Sequence, residues 1–411
     1  MINLELPGFL KKGANPGHQA AAEIFRPISR KYDLAEHERP VELDTMASMV
    51  EGMADAGRGL AGATGGRGLA GATGGRGDKK KKSGGIRNGG NMAAVLNVLE
   101  LCWGDVALTL SIPYQGLGNS AIAAVATDEQ LERIGKVWAS MAITEPGFGS
   151  DSAAVSTTAT LDGDEYVING EKIFVTAGER SDHVVVWASV DKSKGRAAIK
   201  SFVVPKSADG FTVERLEHKL GIKASDTAVL RLDNVRVPKE NLLGSPEVST
   251  KKGFAGAMAT FDNTRPLVAA MAVGCARGAL ERLREVLEDA GEVIDYDKPK
   301  YAQSAAVAEY LDLESDWEAA YLLTLRAAWM ADNKKPNTKE ASIAKAKAGR
   351  VGTHVTLKAV ELTGPWGYSE RELLEKWARD SKILDIFEGT QQIQQLVVAR
   401  RELGLSSKDL K

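Results

Sequence analysis

The chain has 411 residues, 43% hydrophobic and 26% charged, with a formal net charge of −2. That length accommodates two or three domains with well-buried cores, and the near-neutral balance supplies no overall field to draw in nucleic acid. Two cysteines, Cys102 and Cys275, both among apolar neighbours, exclude a disulfide scaffold and a thiolate metal cluster.

No apolar run approaches the roughly 20 residues that a membrane-spanning helix needs. Met1 to Gly17 has no apolar core of the secretory kind, so a reducing cytoplasm is the expected setting. From about Pro16 to Asp55 the pattern is helical, and Met92 to Val125 resumes it with small residues and leucines. Between them, Gly57 to Gly65 is repeated unchanged from Gly66 to Gly74, and Gly75-Arg-Gly77 begins a third copy. Such a repeat cannot bury a core, so residues 57–85 are expected to form a mobile surface insertion, dispensable for chemistry. Gly57-x-Gly59-x-x-Gly62 and Gly66-x-Gly68-x-x-Gly71 match the dinucleotide fingerprint, but that fingerprint has meaning only between a strand and a helix. Here helical sequence precedes it and more glycine follows. The run Lys79 to Lys82 reads as a solvated charge cluster or as a contact for an anionic ligand.

From Ala139 to about Leu243 the hydrophobic period changes to two. Val155–Leu161 and Glu165–Ile168 flank Asp162-Gly163, a hairpin signal, and Asn169-Gly170 is expected to turn the chain into Lys172–Thr176. Val184–Val190, Lys200–Val204 and Ala228–Leu232 are further strands, giving a compact antiparallel barrel or sandwich. After Lys251 the pattern is helical again. Segments run over about Ala255–Ala290, Tyr301–Ala331, Lys339–Leu362, Arg371–Phe387 and Gln391–Leu403, as in an antiparallel four-helix bundle. The fold class is therefore α+β, mostly α. Residues 1–138 form a helical domain carrying the insertion, 139–250 a β-domain and 251–411 the bundle.

At the head of the β-region lies Met141-Ala-Ile-Thr-Glu-Pro-Gly-Phe-Gly-Ser-Asp151. Glycines let a backbone run close to a ligand, and Pro-Gly cannot continue a helix or a central strand. On its residues alone this is an ordinary connecting loop or a ligand-binding one. Glu388 ends an apolar-periodic helix, Gly389 breaks the next turn and Thr390 can cap the helix that follows. Its residues alone fit a surface glutamate at a helix end, or a carboxylate beside backbone N–H groups able to donate to a substrate carbonyl.

Ile143-Thr-Glu-Pro-Gly-Phe-Gly-Ser-Asp151 resembles the flavin-binding signature of the acyl-CoA dehydrogenases. The helix–β–helix order, Lys219-Leu-Gly-Ile-Lys-Ala-Ser-Asp-Thr227, Phe261-Asp-Asn-Thr-Arg265 and Ile386-Phe-Glu-Gly-Thr-Gln-Gln-Ile-Gln394 extend the likeness over roughly Met92 to Glu402. The resemblance implies FAD as cofactor and α,β-dehydrogenation of an acyl-CoA thioester to the trans-2-enoyl-CoA. It makes Glu388 the base that takes the α-proton while the β-hydride passes to flavin N5. The helix around residues 261–275 holds no glutamate that would compete for that role. The resemblance also implies that Met141, Ile143, Thr144, Gly149, Ser150, Phe174, Val175, Thr176, Thr390 and Gln392 hold the cofactor. Ser150, Asp262, Arg265 and Gly389 are the corresponding substrate contacts. An electron-transfer flavoprotein or similar acceptor is the implied redox partner, within lipid metabolism and fatty acid β-oxidation. An acyl-CoA oxidase and a structural subunit of a heteromeric dehydrogenase are the alternatives.

Two places depart from the family pattern. Asp289 stands where an arginine meets the flavin diphosphate of a neighbouring subunit. In Glu361-Leu-Thr-Gly-Pro-Trp-Gly367, glutamate replaces a glutamine and Pro365 replaces a glycine. Carboxylates facing a diphosphate at about 4 Å cost on the order of 4 kcal/mol at an intermediate dielectric. The expectation is an α2β2 assembly with a related chain, unless Arg282 or Arg284 swings in to allow a homotetramer.

Overall fold

The computed structural model describes residues 6–45, 47, 89–114, 117–248 and 255–405, with side chains in the last segment described from Thr264 onward. The repeat at 57–85, the lysine run and the side chains of Phe261 and Asp262 lie outside these residues. Among the described residues no helix is long and apolar enough to cross a membrane.

Helix α1 (Gly8–Ala20) passes through one wider π turn at Ala21–Phe25 into α2 (Arg26–Leu34), whose Tyr32 is buried beside Phe25 in the helical core. Helix α3 (Gly90–Gly104) is apolar on nearly every side, and Val95, Leu96, Val98, Leu99 and Cys102 are all buried. A helix apolar all round belongs in an interior, and α3 lies in the middle of the helical core. Helix α4 (Val106–Ser111) starts at Asp105, whose carboxylate accepts from the Leu108 N–H. Two more helices follow, α5 (Leu117–Val125) and α6 (Asp128–Ile134). A reciprocal Thr127–Gln130 capping box starts α6, which periodicity did not reveal because it buries none of its residues.

The middle region is one seven-stranded sheet: β1 (Ala139–Ala142), β2 (Thr158–Asp162), β3 (Glu165–Thr176), β4 (His183–Ser189), β5 (Ile199–Pro205), β6 (Phe211–Leu216) and β7 (Thr227–Pro238). Their order is β1-β4-β2-β3-β7-β6, with β5 paired to β4. The sheet is mixed rather than purely antiparallel, because β1 and β2 both run parallel to β4. The chain leaves β1, builds the β2–β3 hairpin and returns, and that excursion is the crossover a parallel neighbour requires. The Asp162-Gly163 hairpin forms as expected. Asn169-Gly170 does not turn the chain. It lies inside a continuous β3, where the register slips between Ile168 and Gly170. The Asn169 side chain accepts from the Asn234 N–H at 2.8 Å, and a Cβ on Gly170 would strike Thr157. The glycine serves a bulge and a close approach, a second use of the same dipeptide.

In the C-terminal region α7 (Ala255–Asp289), α8 (Ala305–Asp332) and α9 (Thr338–Thr363) are long, followed by α10 (Leu374–Ser381) and α11 (Gln391–Glu402). The helix expected over Arg371–Phe387 is shorter, since a 3-10 turn at Lys382–Asp385 begins the reversal into α11. Ala272, Ala276, Ala344, Ala348 and Val355 from α7 and α9 share one core with Leu99 of α3. At the meeting point of all three regions lies a fully buried lysine. The Lys376 ammonium donates to Asp105 at 2.7 Å and to Asp380, and Asp380 in turn accepts from the Ile222 N–H. Burial works against this ammonium, but the two carboxylates outweigh it and hold it above the ordinary lysine range.

Candidate active site

The loop after β1 is held by Glu145. Its buried carboxylate accepts from the N–H groups of Ser156 (2.6 Å) and Thr157 (2.9 Å), from both their hydroxyls and from the Lys172 ammonium at 2.8 Å. Burial alone would raise this acid, but Lys172 and the hydroxyl donors bring it down to about 2. At Lys172 burial wins over the carboxylate and lowers the ammonium to about 8. At 2.8 Å, with the Ser156 and Thr157 donors completing the carboxylate's shell, the two groups form a buried ion pair at ordinary pH. Lys172 also reaches the Ile143 carbonyl at 3.3 Å, and the Ile173 N–H donates to the Thr144 carbonyl at 2.9 Å. The loop at 143–150 is therefore stitched to the second half of β3.

That half of β3 carries another register slip, between Lys172 and Val175. Within it Phe174 has a left-handed backbone (φ 56°), and its ring is 59% exposed. Bulges re-aim side chains, and a left-handed non-glycine residue costs of order 1–3 kcal/mol and collects at functional sites. Thr144 and Thr176 are half-buried beside this ring-bearing segment, while Gly149 and Ser150 are exposed on the loop. A Cβ added to Gly147 or Gly149 would touch nothing, so the loop presents an open backbone surface. Other predicted cofactor residues have a packing role. Met141 and Ile143 fill small clusters with Val155, Trp187 and Ile199, and Val175 is buried in the sheet core.

A second group forms at the end of the bundle. Glu388 is half-buried with a left-handed backbone (φ 57°), followed by Gly389 (φ 89°) and by Thr390, whose hydroxyl accepts from the Ile393 N–H at the head of α11. The predicted cap is therefore present. The Thr264 hydroxyl of α7 donates to the Glu388 carboxylate at 2.7 Å. Burial raises this carboxyl above its ordinary range, and Thr264, the buried Arg265 and Lys345 pull against that rise. Gln392 is exposed on the first turn of α11. Asp262 lies outside the described side chains.

Sequence reasoning missed Glu145 and Lys172 as anchors of the loop, Thr264 as the donor to Glu388, and Lys345. Lys172 shares a strand face with buried Ile168, and Lys345 stands on the face of α9 that holds Ala341 and Ala348. A lysine at an inward position of an otherwise apolar period was the available signal.

Of the departures, Arg282 is tied by Nε and Nη2 to Glu372 at 2.9 Å each and by Nη1 to Glu285 at 2.7 Å. Arg284 donates to Glu288 at 2.9 Å. Both arginines are held within their own chain. Glu361 pairs with Lys358 at 3.0 Å, and Pro365 opens a short helical turn, Pro365–Tyr368.

The acyl-CoA dehydrogenase middle-domain family matches residues 140–235, and the acyl-CoA dehydrogenase C-terminal-domain family matches residues 251–403. The short-chain specific acyl-CoA dehydrogenase of Clostridium acetobutylicum is 36% identical over 315 residues, which span 74% of this chain and 80% of that protein. The chain belongs to the acyl-CoA dehydrogenase family. The caffeyl-CoA reductase-Etf complex subunit CarC of Acetobacterium woodii is 37% identical over 330 residues, 78% of this chain and 85% of that protein. The solved butyryl-CoA dehydrogenase of Megasphaera elsdenii superposes with a TM-score of 0.80 at 30% identity, covering 98% of this chain and all of that one. As a member of the acyl-CoA dehydrogenase family the chain is an oxidoreductase, of a family that depends on FAD. An open backbone loop, an exposed aromatic ring on a strained bulge and two flanking threonine hydroxyls fit an isoalloxazine with its ribityl chain.

Proposed function

We propose that the chain catalyses FAD-dependent α,β-dehydrogenation of an acyl-CoA thioester, with Glu388 as the base. The observation that carries this is the Glu388 carboxyl, raised by burial, held by Thr264 and aimed from a strained left-handed turn. A general base works best with its pKa near the operating pH, and a desolvated carboxylate is a stronger base than a hydrated one. The carboxylate takes the α-proton, and the developing oxyanion of the thioester is met by the Glu388 N–H. Arg265 and Ser150 lie on elements that flank the substrate, and Thr144, Phe174 and Thr176 hold the cofactor. When bound, the flavin supplies the acceptor for the β-hydride. Glu388→Gln is expected to keep flavin content while slowing flavin reduction by acyl-CoA at least about a hundredfold. Reduction at the parent rate would remove Glu388 from this role.

The physiological electron acceptor is an electron-transfer flavoprotein, a reading supported by the name of the Acetobacterium woodii relative. The assembly is a hetero-oligomer of α2β2 type. This is supported by Asp289, Glu361 and Pro365, and by the intrachain ion pairs that occupy Arg282 and Arg284. To reach a neighbour's diphosphate, either arginine would have to abandon its carboxylates as well as lose side-chain entropy. Expression of the chain alone is expected to give low flavin content, restored by co-expression with a related chain that brings the missing arginine. An active homotetramer with one flavin per subunit would overturn the hetero-oligomer.

A further inference from the structure

Behind Glu388 stand two buried polar side chains whose cost to folding is not met by packing. Lys345 of α9 is fully excluded from solvent, and its ammonium donates at 2.7 Å to the Gly389 carbonyl. Gln394, in the first turn of α11, is equally buried, and its amide donates at 3.0 Å to the Glu388 carbonyl and at 3.2 Å to that of Gly389. Both carbonyls of the left-handed turn are thus held by side chains, and the two donors come from different helices. A buried ammonium is expensive, and an apolar side chain of similar volume is often the more stable choice at such a place. Burial lowers Lys345 to about 8, against the pull of Asp385 and Glu388.

We propose that Lys345 and Gln394 are positioning residues for the base: they clamp the Glu388 and Gly389 carbonyls, lock the left-handed turn and place a fixed cation behind the carboxylate. The proposal rests on Glu388 being the base. During turnover that side chain passes from carboxylate to neutral acid, so any support that depends on its charge weakens mid-reaction. Hydrogen bonds to the backbone carbonyls do not depend on that charge and hold the turn in both states. Among the described side chains, the charged groups facing the carboxylate are Arg265 from α7 and Lys345 from α9, with Asp385 of the preceding turn facing Lys345. Each cation favours the ionised base.

The test follows flavin reduction by acyl-CoA against pH in the flavin-loaded enzyme, together with flavin content and the acyl-CoA dissociation constant. Lys345→Met is expected to slow reduction about ten- to hundredfold while binding stays within about twofold, since a small misplacement of a reacting group has that effect. Loss of the cation should also move the midpoint of the rise in rate to higher pH, and Lys345→Arg should bring the midpoint back. Gln394→Leu, which removes hydrogen bonds but no charge, should slow reduction with the midpoint unmoved. Parent rates and an unmoved midpoint in Lys345→Met overturn the clamp. Should Lys345→Met not load flavin, a parent rate in Gln394→Leu overturns it equally. Glu388→Gln separates the two levels: if it reduces flavin normally the base assignment fails, whereas if it is inactive and Lys345→Met is normal, the clamp alone fails.

Discussion

Lys172, in the sheet, and Lys345, in the bundle, are buried cations, and neither stands out in the sequence, where each is one lysine among many. What separates them from surface lysines is facing, which depends on where the strand or helix starts and so on tertiary structure. Glu388 was singled out by the resemblance of its motif to the family pattern, since the glycine and threonine directly after it also fit a surface glutamate at a helix end. The Glu145–Lys172 pair permits a direct test of loop anchoring. Lys172→Met leaves a buried carboxylate without its cation and is expected to cost about 3–5 kcal/mol. The pH dependence has a definite sign. Glu145 is held at about 2 against an ordinary 4.5, so its contribution is present above 4.5 and lost as pH falls towards 2. Lys172 is held at about 8 against 10.5, so the folded state sheds this proton first, and this group's contribution rises with pH across that interval. Urea unfolding at stepped pH should show the stability gap between parent and Glu145→Gln narrowing below 4.5. A gap that stays constant to pH 2 would mean the pair does not anchor the loop.

Among the elements, the reversal from α10 into α11 is the one on which the proposed chemistry depends. Gly389 has a φ of 89°, and a Cβ there would meet the Gln394 amide. Gly389→Ala is expected to cost on the order of 1–2 kcal/mol from backbone strain alone. It should also slow flavin reduction, because the same strain displaces the preceding carboxylate. A variant with a parent melting temperature and parent rate would show that the turn tolerates another geometry. Strand β3 teaches the opposite lesson about reading elements. Glycine after asparagine satisfies a hairpin turn and a bulge equally well, and only Asn234 and Thr157, distant in sequence, select the bulge. The exposed Phe174 owes its direction to a similar slip, which no local pattern announces.

For the molecule as a whole, the order helices–sheet–helices follows from two changes of hydrophobic period, near Ala139 and after Lys251, and was legible for that reason. The parallel pairing of β1 with β4 and the Lys376 joint were not, because each is made by residues far apart in the chain. Asp105 enters from the N-terminal helices, Ile222 from the sheet region and Lys376 with Asp380 from α10. Lys376→Met would leave two buried carboxylates facing each other and is expected to destabilise the protein by about 3–5 kcal/mol. Because the joint touches all three regions, far-ultraviolet dichroism and tryptophan fluorescence should lose their midpoints together. Separate transitions for sheet and helices in the parent would show that the joint does not couple them.

The two ends of that joint are 271 residues apart. On the ribosome the N-terminal helices and the whole sheet region emerge before the lysine that neutralises Asp105 has been made. Synthesis proceeds at roughly 5–20 residues per second, so for tens of seconds the Asp105 carboxylate of the growing chain has its Ser29 and Leu108 donors but not its cation. The contacts of the first two regions at Asp105 are therefore expected to close only once α10 has been made, so a chain truncated before α10 should be cut by protease more readily around Asp105 than the full chain, and equal protection would sink the idea.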